Sequence, residues 1–391
     1  MFPNKTEIVV IGGGIIGSAI TYCLTKYGLK VVQVEQGEFV SGASGANLGQ
    51  ISLVDREPPL QLQLAKESLQ IYKDLSRELD KDFGYVSRGG FVVLYSESQL
   101  LAARKICSIQ KQNGLRVHLL SVQEIKEQLP GLEGKNIWGG IFCEEEGGLD
   151  PLELTLAYQN KARKLGALTF SRTKVESFCM EGGRITAAQT TRGKITAKVF
   201  INAAGAWSAE VAKMAGLDIG IRYHKGTAMV TEPVSELFSG PVVGGGFLAG
   251  IFSDNDTGAM RVGLAVMQQK NGSIIIGQAS EKSINYDTST NYEAICSTAK
   301  KFLEYFPGCA KLNIIRAWAG VTPYTTDGLP VFGYSGKVSN LFTAAGFKGA
   351  FTTAPALGEL SASMICKGKI AEGYCSYSPD RFYLKTKMGV W

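Results

Sequence analysis

The alternation of apolar and polar residues over the first 35 positions predicts a strand, a tight turn, a helix and a second strand. EIVVI (7–11) is short, apolar and rich in β-branched residues, and KVVQVE (30–35) has the same character. Between them, SAITYCLTKYG (18–28) carries apolar residues at helical spacing and ends at Gly28. This pattern indicates a βαβ unit of about thirty residues with parallel strands.

Further helices are predicted where apolar positions recur every three or four residues. Ser121 and Glu124 have the spacing of a capping box, and Asp150 followed by Pro151 is typical of a helix start. The other helical segments are 60–80, 98–114, 209–216, 291–305 and 354–368.

The middle of the chain reads as β-structure. Residues 169–201 predict a β-meander with turns at Gly182-Gly183 and Arg192-Gly193, and 221–280 contains several β-like runs. A last strand is predicted in NLFTAA (340–345). A chain that is α/β at both ends and β-rich between them predicts two domains whose segments interleave.

Composition excludes several classes of function. The 391 residues are 45% hydrophobic and 19% charged, which is ordinary for a soluble globular protein. Lysine and arginine exceed acidic residues by 41 to 35 without forming a basic stripe, so nucleic-acid binding is not expected. No segment except the glycine-interrupted run after position 7 reaches membrane-spanning length, so no integral membrane segment is expected.

Cysteine and histidine usage argues against a metal centre. The eight cysteines include no C-x-x-C pair, and the chain has only two histidines. We therefore expect no metal site, reduced thiols and a cytoplasmic location.

The turn after the first predicted strand has the spacing Gly12-x-Gly14-x-x-Gly17, and Glu35 ends the second strand. Gly12 suits a tight turn, Gly14 lets backbone approach a pyrophosphate, and Gly17 allows close helix–strand packing. The following helix offers N–H groups to phosphates, and Glu35 can accept hydrogen bonds from a ribose. This context predicts a dinucleotide site.

The stretch GASGANLG (42–49) bears on which dinucleotide is bound. It contains no titratable side chain, but its small residues allow backbone to lie against a flat or phosphorylated group. A flavin fits this pattern better than a nicotinamide, whose βαβ unit usually continues into another βα repeat. NAD-dependent dehydrogenation remains the alternative, and a yellow protein would exclude it.

Taken in order, six segments of the chain resemble the D-amino-acid oxidase-like flavoenzymes, which include glycine oxidase and sarcosine oxidase. The resemblance extends over nearly the whole chain, and HKGTAMVTEP (224–233) is further similar to the branch of amino-acid dehydrogenase subunits. That branch includes β subunits of hydroxyproline and proline dehydrogenases and a hydrogen cyanide synthase subunit. The six segments are residues 8–35, GASGANLGQI (42–51), 147–167, VFINAAGAWS (199–208), WAGVTPYTTDGLPVFG (318–333) and AAGFKGAFTTAPALGEL (344–360).

The resemblance implies an α/β (α+β) fold, with a Rossmann-like FAD-binding domain and an interleaved β-sheet-rich substrate domain. It assigns 1–85, 145–220 and 310–391 to the FAD-binding domain, and 86–144 and 221–309 to the substrate domain. The residues expected to bind FAD are Gly12, Gly14, Ile15, Ile16, Gly17, Glu35, Gln36, Ala43, Ser44, Asn47, Leu48, Gly49, Val175, Ala204, Gly205, Trp207, Gly346, Phe347, Lys348 and Gly349.

The implied reaction is oxidation of a C–N bond in a small amine or amino acid by hydride transfer to flavin N5, giving an imine. Secondary or D-amino acids are favoured as substrates. One alternative is the catalytic FAD subunit of a heteromeric dehydrogenase that passes electrons to a partner instead of oxygen, and another is a subunit with structural FAD. The flavin is expected to be non-covalent, because no cysteine lies in the TPYTTDG loop (322–328).

The substrate-side prediction names Lys348, Thr322 and Gln50. Several family members carry an arginine where Thr322 stands, and that arginine binds the substrate carboxylate in a bidentate manner. Lys348, Arg56 or Arg261 could replace it, or the substrate has no carboxylate there.

Other residues with reactive side chains are expected to have structural roles. Tyr223, His224 and Tyr324 read as half-buried packing residues, although each could line a pocket. The glutamates at 144–146 predict a solvated turn.

Overall fold

The computed structural model describes residues 1–134, 136–246, 260–283, 285–368 and 373–383. Two large β-sheets organise this part of the chain. The first has six strands. Along the chain these are β1 (Ile8–Ile11), β2 (Val31–Val34), β8 (Leu168–Phe170), β12 (Val199–Asn202), β18 (Val331–Tyr334) and β19 (Leu341–Ala345). Their order across the sheet is β18, β19, β12, β1, β2, β8.

Parallel pairing joins β1 to β2 and β12, β2 to β8, and β12 to β19, whereas β18 is antiparallel. The carboxyl ends of β1, β12 and β19 therefore meet at one edge, where doubly wound sheets bind ligands. The helices of this half are α1 (Ile15–Lys26), α2 (Leu60–Glu78), α5 (Pro151–Lys164) and α6 (Ser208–Met214), together with the last α-helix of the described chain, α8 (Ala350–Lys367).

The second sheet has eight strands. Along the chain these are β4 (Gly90–Leu94), β5 (Val117–Leu120), β6 (Gly139–Cys143), β13 (Ile221–Pro233), β14 (Val242–Gly244), β15 (Arg261–Gln268), β16 (Ser273–Ser283) and β17 (Ile314–Thr325). Their order across the sheet is β17, β13, β16, β15, β14, β4, β6, β5. The helices of this half are α3 (Glu97–Gln112), α4 (Val122–Gln128) and α7 (Tyr292–Tyr305).

Two small sheets complete the described structure. One is a meander of β9 (Val175–Glu181), β10 (Arg184–Thr190) and β11 (Gly193–Ile195), and the other pairs β3 (Gln50–Ile51) with β7 (Gly147–Gly148). Short 3₁₀ helices cover Gly205–Trp207, Pro307–Cys309 and Tyr374–Tyr377.

Two helix starts predicted from the sequence are confirmed, because their capping side chains make the expected hydrogen bonds. Asp150 Oδ1 accepts from the N–H groups of Leu152 and Glu153 at 2.9 and 3.0 Å, which caps α5. The capping box of Ser121 and Glu124 is present at the start of α4. These signals act within four residues, so tertiary packing does not change them.

Three expectations differ from the structure. The helix predicted at 354–368 begins four residues earlier, at Ala350, with a left-handed Gly349 as its N-cap. Only the middle of the predicted 169–201 meander forms one, since β8 and β12 join the parallel sheet. β17, assigned above to the FAD-binding part, pairs with β13 in the large sheet.

Candidate active site

The glycine-rich turn after β1 is built by backbone contacts that a side chain would block. Gly12 has φ +120°, and a Cβ there would lie 2.2 Å from the Ala203 carbonyl oxygen. A Cβ on Gly17 would lie 2.2 Å from the Gly12 carbonyl oxygen, which also accepts from Gln33 Nε2 at 2.9 Å. The turn can therefore bring α1 against β1 only with glycine at these two positions.

Polar side chains surround this turn at the start of α1. Glu35 Oε2 accepts from the Gly13 N–H at 2.6 Å, and its Oε1 accepts from the Gly37 N–H at 2.8 Å. Ser44 Oγ accepts from the Ile15 N–H at 3.0 Å, within the first turn of the helix. The carboxylate and hydroxyl are thereby held beside a helix N-terminus, which favours anions.

One elongated cavity runs from this turn to the large sheet. Its walls come from the edge of the six-stranded sheet, the 42–47 segment, the Gly205–Trp207 turn, the start of α8 and the end of β17. The predicted FAD-binding residues that line it are Gly12, Gly14, Ile15, Ile16, Glu35, Gln36, Ala43, Ser44, Asn47, Val175, Ala204, Gly205, Trp207, Gly346, Phe347 and Gly349.

Leu48 and Gly49, predicted to bind FAD, lie outside this lining. Leu48 packs on β16, where a Cβ on Gly277 would be 2.8 Å from Leu48 Cδ2. Gly49 has φ +84°, and a Cβ on it would be 2.0 Å from the Leu149 carbonyl oxygen. Within GASGANLG, Gly42, Ala43, Ser44 and Asn47 thus line the cavity, whereas Leu48 and Gly49 pack against other parts of the protein.

The loop after β19 also lines the cavity. Gly346 and Gly349 both have positive φ, at +73° and +62°, and the 18-residue helix α8 begins at once at Ala350. Gly349 is the N-cap of α8 and provides no side-chain cap, and both Gly349 and Ala350 line the cavity. This arrangement places the positive end of a helix dipole at the cavity wall.

Thr322, predicted on the substrate side, lies at the end of the cavity formed by β17. In the β13–β17 register it is opposite His224, and the His224 and Tyr324 rings lie edge to face with centroids 4.7 Å apart. On the same face of β17, Trp318 Nε1 donates to the Ala46 carbonyl at 3.0 Å. This face of the large sheet therefore covers the 42–56 side of the cavity.

Arg56 and Lys348, both considered above for the substrate carboxylate, have different surroundings. Arg56 is buried, donates to the Lys348 carbonyl oxygen and to Ser52 O, and pairs with Asp55 at 2.9 Å. Burial raises the pKa of Asp55, but the Arg56 and Lys348 charges and the Ser52 hydroxyl lower it below its usual value. Arg56 thus has its donors engaged within the protein.

The remaining substrate-side residues lie away from the cavity lining. Lys348 Nζ is 3.9 Å from Asp55 Oδ2, and its side chain is 49% exposed. Gln50 Nε2 donates to the Val266 carbonyl at 3.0 Å, and Arg261 begins β15. Of the described residues that line the cavity, only Lys174 is cationic, and it lies beside Val175 at the Glu35 end.

The prediction of a solvated turn at 144–146 is wrong for its last residue. Glu144 is half-buried and pairs with Arg116 and His118, but Glu146 is only 3% exposed. Burial raises the pKa of Glu146 to about 7. The strand that follows Glu146, β7, pairs with residues 51 and 86, which are distant in sequence. The local EEE pattern therefore gave no indication that Glu146 is buried.

Comparison with known proteins decides the family. Residues 7–364 match the DAO family, described as FAD-dependent oxidoreductases. The chain belongs to this family.

Relatives of this oxidoreductase match nearly the whole chain. It is 29% identical to glycine oxidase of Bacillus licheniformis over 371 residues, covering 93% of both chains. It is 25% identical to the beta subunit of sarcosine oxidase from an Arthrobacter species, covering 97% of this chain and 92% of the relative. The crystal structure of L-proline dehydrogenase from P. horikoshii has a TM-score of 0.87 at 29% identity, covering 98% of this chain and 99% of that one.

The cavity of this oxidoreductase fits FAD. Its Glu35 end offers carboxylate and hydroxyl groups and a helix N-terminus, which suit a ribose and a pyrophosphate. Its other end is walled by alanine and glycine backbone, and a helix dipole there suits a ring system that gains negative charge on reduction. The enzyme is therefore an FAD-dependent oxidoreductase of the amine and amino-acid oxidising family.

Among the described residues, no three His, Cys, Asp or Glu side chains are grouped to hold a metal ion. Within the same residues, no helix combines the length and apolar character needed to cross a membrane.

Proposed function

We propose that the enzyme oxidises the C–N bond of a small amine or amino acid, with secondary or D-amino acids favoured. The observation that carries this proposal is that Thr322, near the end of β17, lines the same cavity as Gly346 and Gly349 and has His224 and Tyr324 beside it on the same face of the large sheet. A substrate held there would lie between the large sheet and the part of the cavity suited to the flavin.

The side chains of Thr322 and Tyr324 suit an uncharged substrate amine better than a strongly charged substrate group. Burial raises the pKa of Tyr324, and the nearby Asp55 carboxylate adds to the rise, so the phenol stays protonated and can donate. Thr322 offers a hydroxyl that can accept from an amine N–H. Since hydride transfer needs the amine deprotonated, neutral hydrogen-bonding partners favour the reactive form.

Bound FAD supplies the hydride acceptor in this reaction. The chain has to hold the substrate C–H bond in line, exclude water and bind a neutral amine. No general base with its own proton relay is required, which agrees with a cavity that Thr322 lines and that has Tyr324 and His224 beside it.

The preference for secondary amines is supported by two of the relatives. Sarcosine and proline, named in the beta subunit of sarcosine oxidase and in the L-proline dehydrogenase, are both secondary amino acids. The preference for D-amino acids rests on the resemblance of the motifs to D-amino-acid oxidase-like enzymes.

An anaerobic bleaching screen tests the proposal. Purified holoenzyme is mixed without oxygen with D-, L- and N-alkyl amino acids and simple amines, and loss of the flavin absorbance is followed. We expect one small amine or amino acid to bleach the flavin, faster for a secondary or D-amino acid than for its primary L-counterpart. Bound flavin that no member of this set reduces would contradict the proposal and indicate structural FAD.

A second candidate concerns the electron acceptor. The sarcosine oxidase relative and the HcnC subunit of hydrogen cyanide synthase from Pseudomonas protegens, which is 27% identical over 383 residues, are each named as one subunit of an enzyme. These names favour a reaction in which a partner subunit, and not oxygen, receives the electrons from the flavin. Turnover of the isolated chain with a dye but not with oxygen would support it, and rapid peroxide formation would contradict it.

A further inference from the structure

Glu146 is a buried carboxylate outside the cavity, and the reaction above does not use it. It follows β6 and precedes β7, and its Oε1 accepts from the Leu53 N–H at 2.7 Å, the Val54 N–H at 2.9 Å and the Ser52 hydroxyl at 3.1 Å. A Cβ on Gly90 would lie 2.4 Å from Glu146 Oε2, so glycine is needed there for the carboxylate to fit. One oxygen atom thus anchors three consecutive residues of another segment.

The anchored residues begin a short segment, 52–56, that is also held from α3. Gln110 Nε2 donates to the carbonyl oxygens of Val54 and Arg56, each at 2.9 Å. Glu146 and Gln110 therefore bind the N–H groups and the carbonyl groups of the same segment. Without these partners, the buried backbone groups of the segment would be left without hydrogen bonds, which disfavours the packed arrangement.

The far side of segment 52–56 is attached to the wall of the FAD cavity. Arg56 donates to the Lys348 carbonyl oxygen, and a Cβ on Gly349 would be 2.5 Å from Arg56 Nη2. The Ser52 N–H donates to Thr352 Oγ1 in the first turn of α8 at 3.3 Å. Phe347 and Gly349, on either side of Lys348, line the cavity.

We propose that Glu146 is a positioning residue that, through segment 52–56, holds the Gly346–Ala350 wall against bound FAD. The proposal rests on FAD binding at this cavity and is independent of which substrate is oxidised. Glu146 itself does not line the cavity, so its effect passes through Arg56.

The charge on Glu146 makes this effect depend on pH. The ionisable groups around it are Asp55 from the segment side, which is itself paired with Arg56 and lies near Lys348, and Cys143 and Glu145 from its own turn. Burial raises the pKa of Glu146 to about 7, and the Asp55 carboxylate contributes, whereas the backbone hydrogen bonds lower it. Since the packed arrangement has the raised pKa, rising pH favours release of segment 52–56.

The test measures FAD affinity of the apoenzyme by titration at pH 5, 6, 7 and 8, without substrate. For the wild type we expect the dissociation constant to increase between pH 5 and 7, by at most about tenfold per pH unit for one proton, and to level off above pH 7, where Glu146 is ionised in both arrangements. Glu146→Gln keeps the Oε1 acceptor and should bind like the wild type at pH 5 with a flat profile. Glu127→Gln, an exposed glutamate on α4, is the matched control and should keep the wild-type profile.

Glu146→Ala removes the acceptor, and we expect weaker FAD binding at every pH. Amide hydrogen exchange of the apoenzyme should then increase in peptides covering 52–56 and 345–352 and not in β9–β11. The proposal is overturned if Glu146→Gln keeps the wild-type pH profile, or if Glu146→Ala binds FAD as the wild type does. If Glu146→Ala does not fold, the Glu146→Gln profile decides. A failed bleaching screen would leave this titration unaffected.

Discussion

His224 on β13 and Tyr324 on β17 lie edge to face, with ring centroids 4.7 Å apart. The pair sits beside Thr322 on the face of the large sheet that covers the 42–56 side of the cavity. An edge-to-face contact fixes the position of both rings, so two side chains from different strands act as one rigid wall. This wall is the part of the site that we expect to recognise the substrate.

Removing the Tyr324 hydroxyl tests that role. We expect Tyr324→Phe to lower kcat/KM about tenfold for the substrate found by the bleaching screen, which is the loss of one hydrogen bond. Tyr223→Phe is the control, because Tyr223 is on the opposite face of β13 and its hydroxyl contacts Tyr286 at 3.1 Å. Equal losses in the two variants, measured by steady-state kinetics, would mean that Tyr324 does not contact the substrate.

A cation placed at position 322 tests how a carboxylate is bound. Thr322→Arg puts a guanidinium at the cavity wall, and we expect a roughly tenfold lower KM for amino-acid substrates from a charge-assisted hydrogen bond. Thr322→Gln adds bulk without charge and should not lower KM. A KM that is unchanged or raised in Thr322→Arg would indicate that the substrate carboxylate lies elsewhere.

The two cations near Asp55 should differ strongly in their effect on stability. Arg56→Ala leaves a buried Asp55 without its main partner, and we expect a loss of about 3–5 kcal/mol in the free energy of unfolding. Lys348→Ala removes a half-exposed charge 3.9 Å from Asp55 and should cost less than about 1 kcal/mol. Denaturant unfolding measures both, and similar losses would contradict the assignment of Arg56 as the structural cation.

Gly49 and Gly28 offer a matched pair for testing why GASGANLG is small. Their φ angles are +84° and +83°, but a Cβ on Gly49 would be 2.0 Å from the Leu149 carbonyl oxygen, and a Cβ on Gly28 meets nothing within 4 Å. We expect Gly28→Ala to cost about 1 kcal/mol from left-handed strain. Gly49→Ala should cost a further 1–3 kcal/mol or so from the clash. Equal thermal stabilities would show that the Leu149 contact relaxes freely.

The raised pKa of Glu146 also predicts a pH dependence of global stability. Its contribution is fully present below the ordinary glutamate pKa near 4.5 and is lost as pH rises through about 7. We therefore expect Glu146→Gln to match the wild type near pH 4 and to exceed it by up to about 3 kcal/mol at pH 8. Urea unfolding at the two pH values measures this, and a wild type that is more stable than the variant at pH 8 would contradict it.

Much of the fold was predictable because its signals are local. The spacing of Gly12, Gly14 and Gly17 and the Asp150 cap act over a few residues, and the ordered motifs indicated the family and its cofactor. Residues that contact FAD through backbone could be nominated from small size alone. The GASGANLG motif also led us to name Leu48 and Gly49, whose neighbours are β16 and the Leu149 backbone, because a short motif does not show which of its residues face a cofactor and which face protein.

Hydrophobic period and glycine spacing are properties of short segments, so the chain alone specifies the βαβ unit, the FAD-binding family and one edge of the cavity. Only the folded protein shows that Arg56 is buried and donates to the Lys348 carbonyl oxygen, and that Glu146 is buried under segment 52–56. It also brought His224 beside Tyr324 from strands far apart in sequence. Burial and charge pairing depend on which distant segments meet, and no local pattern in the chain encodes that.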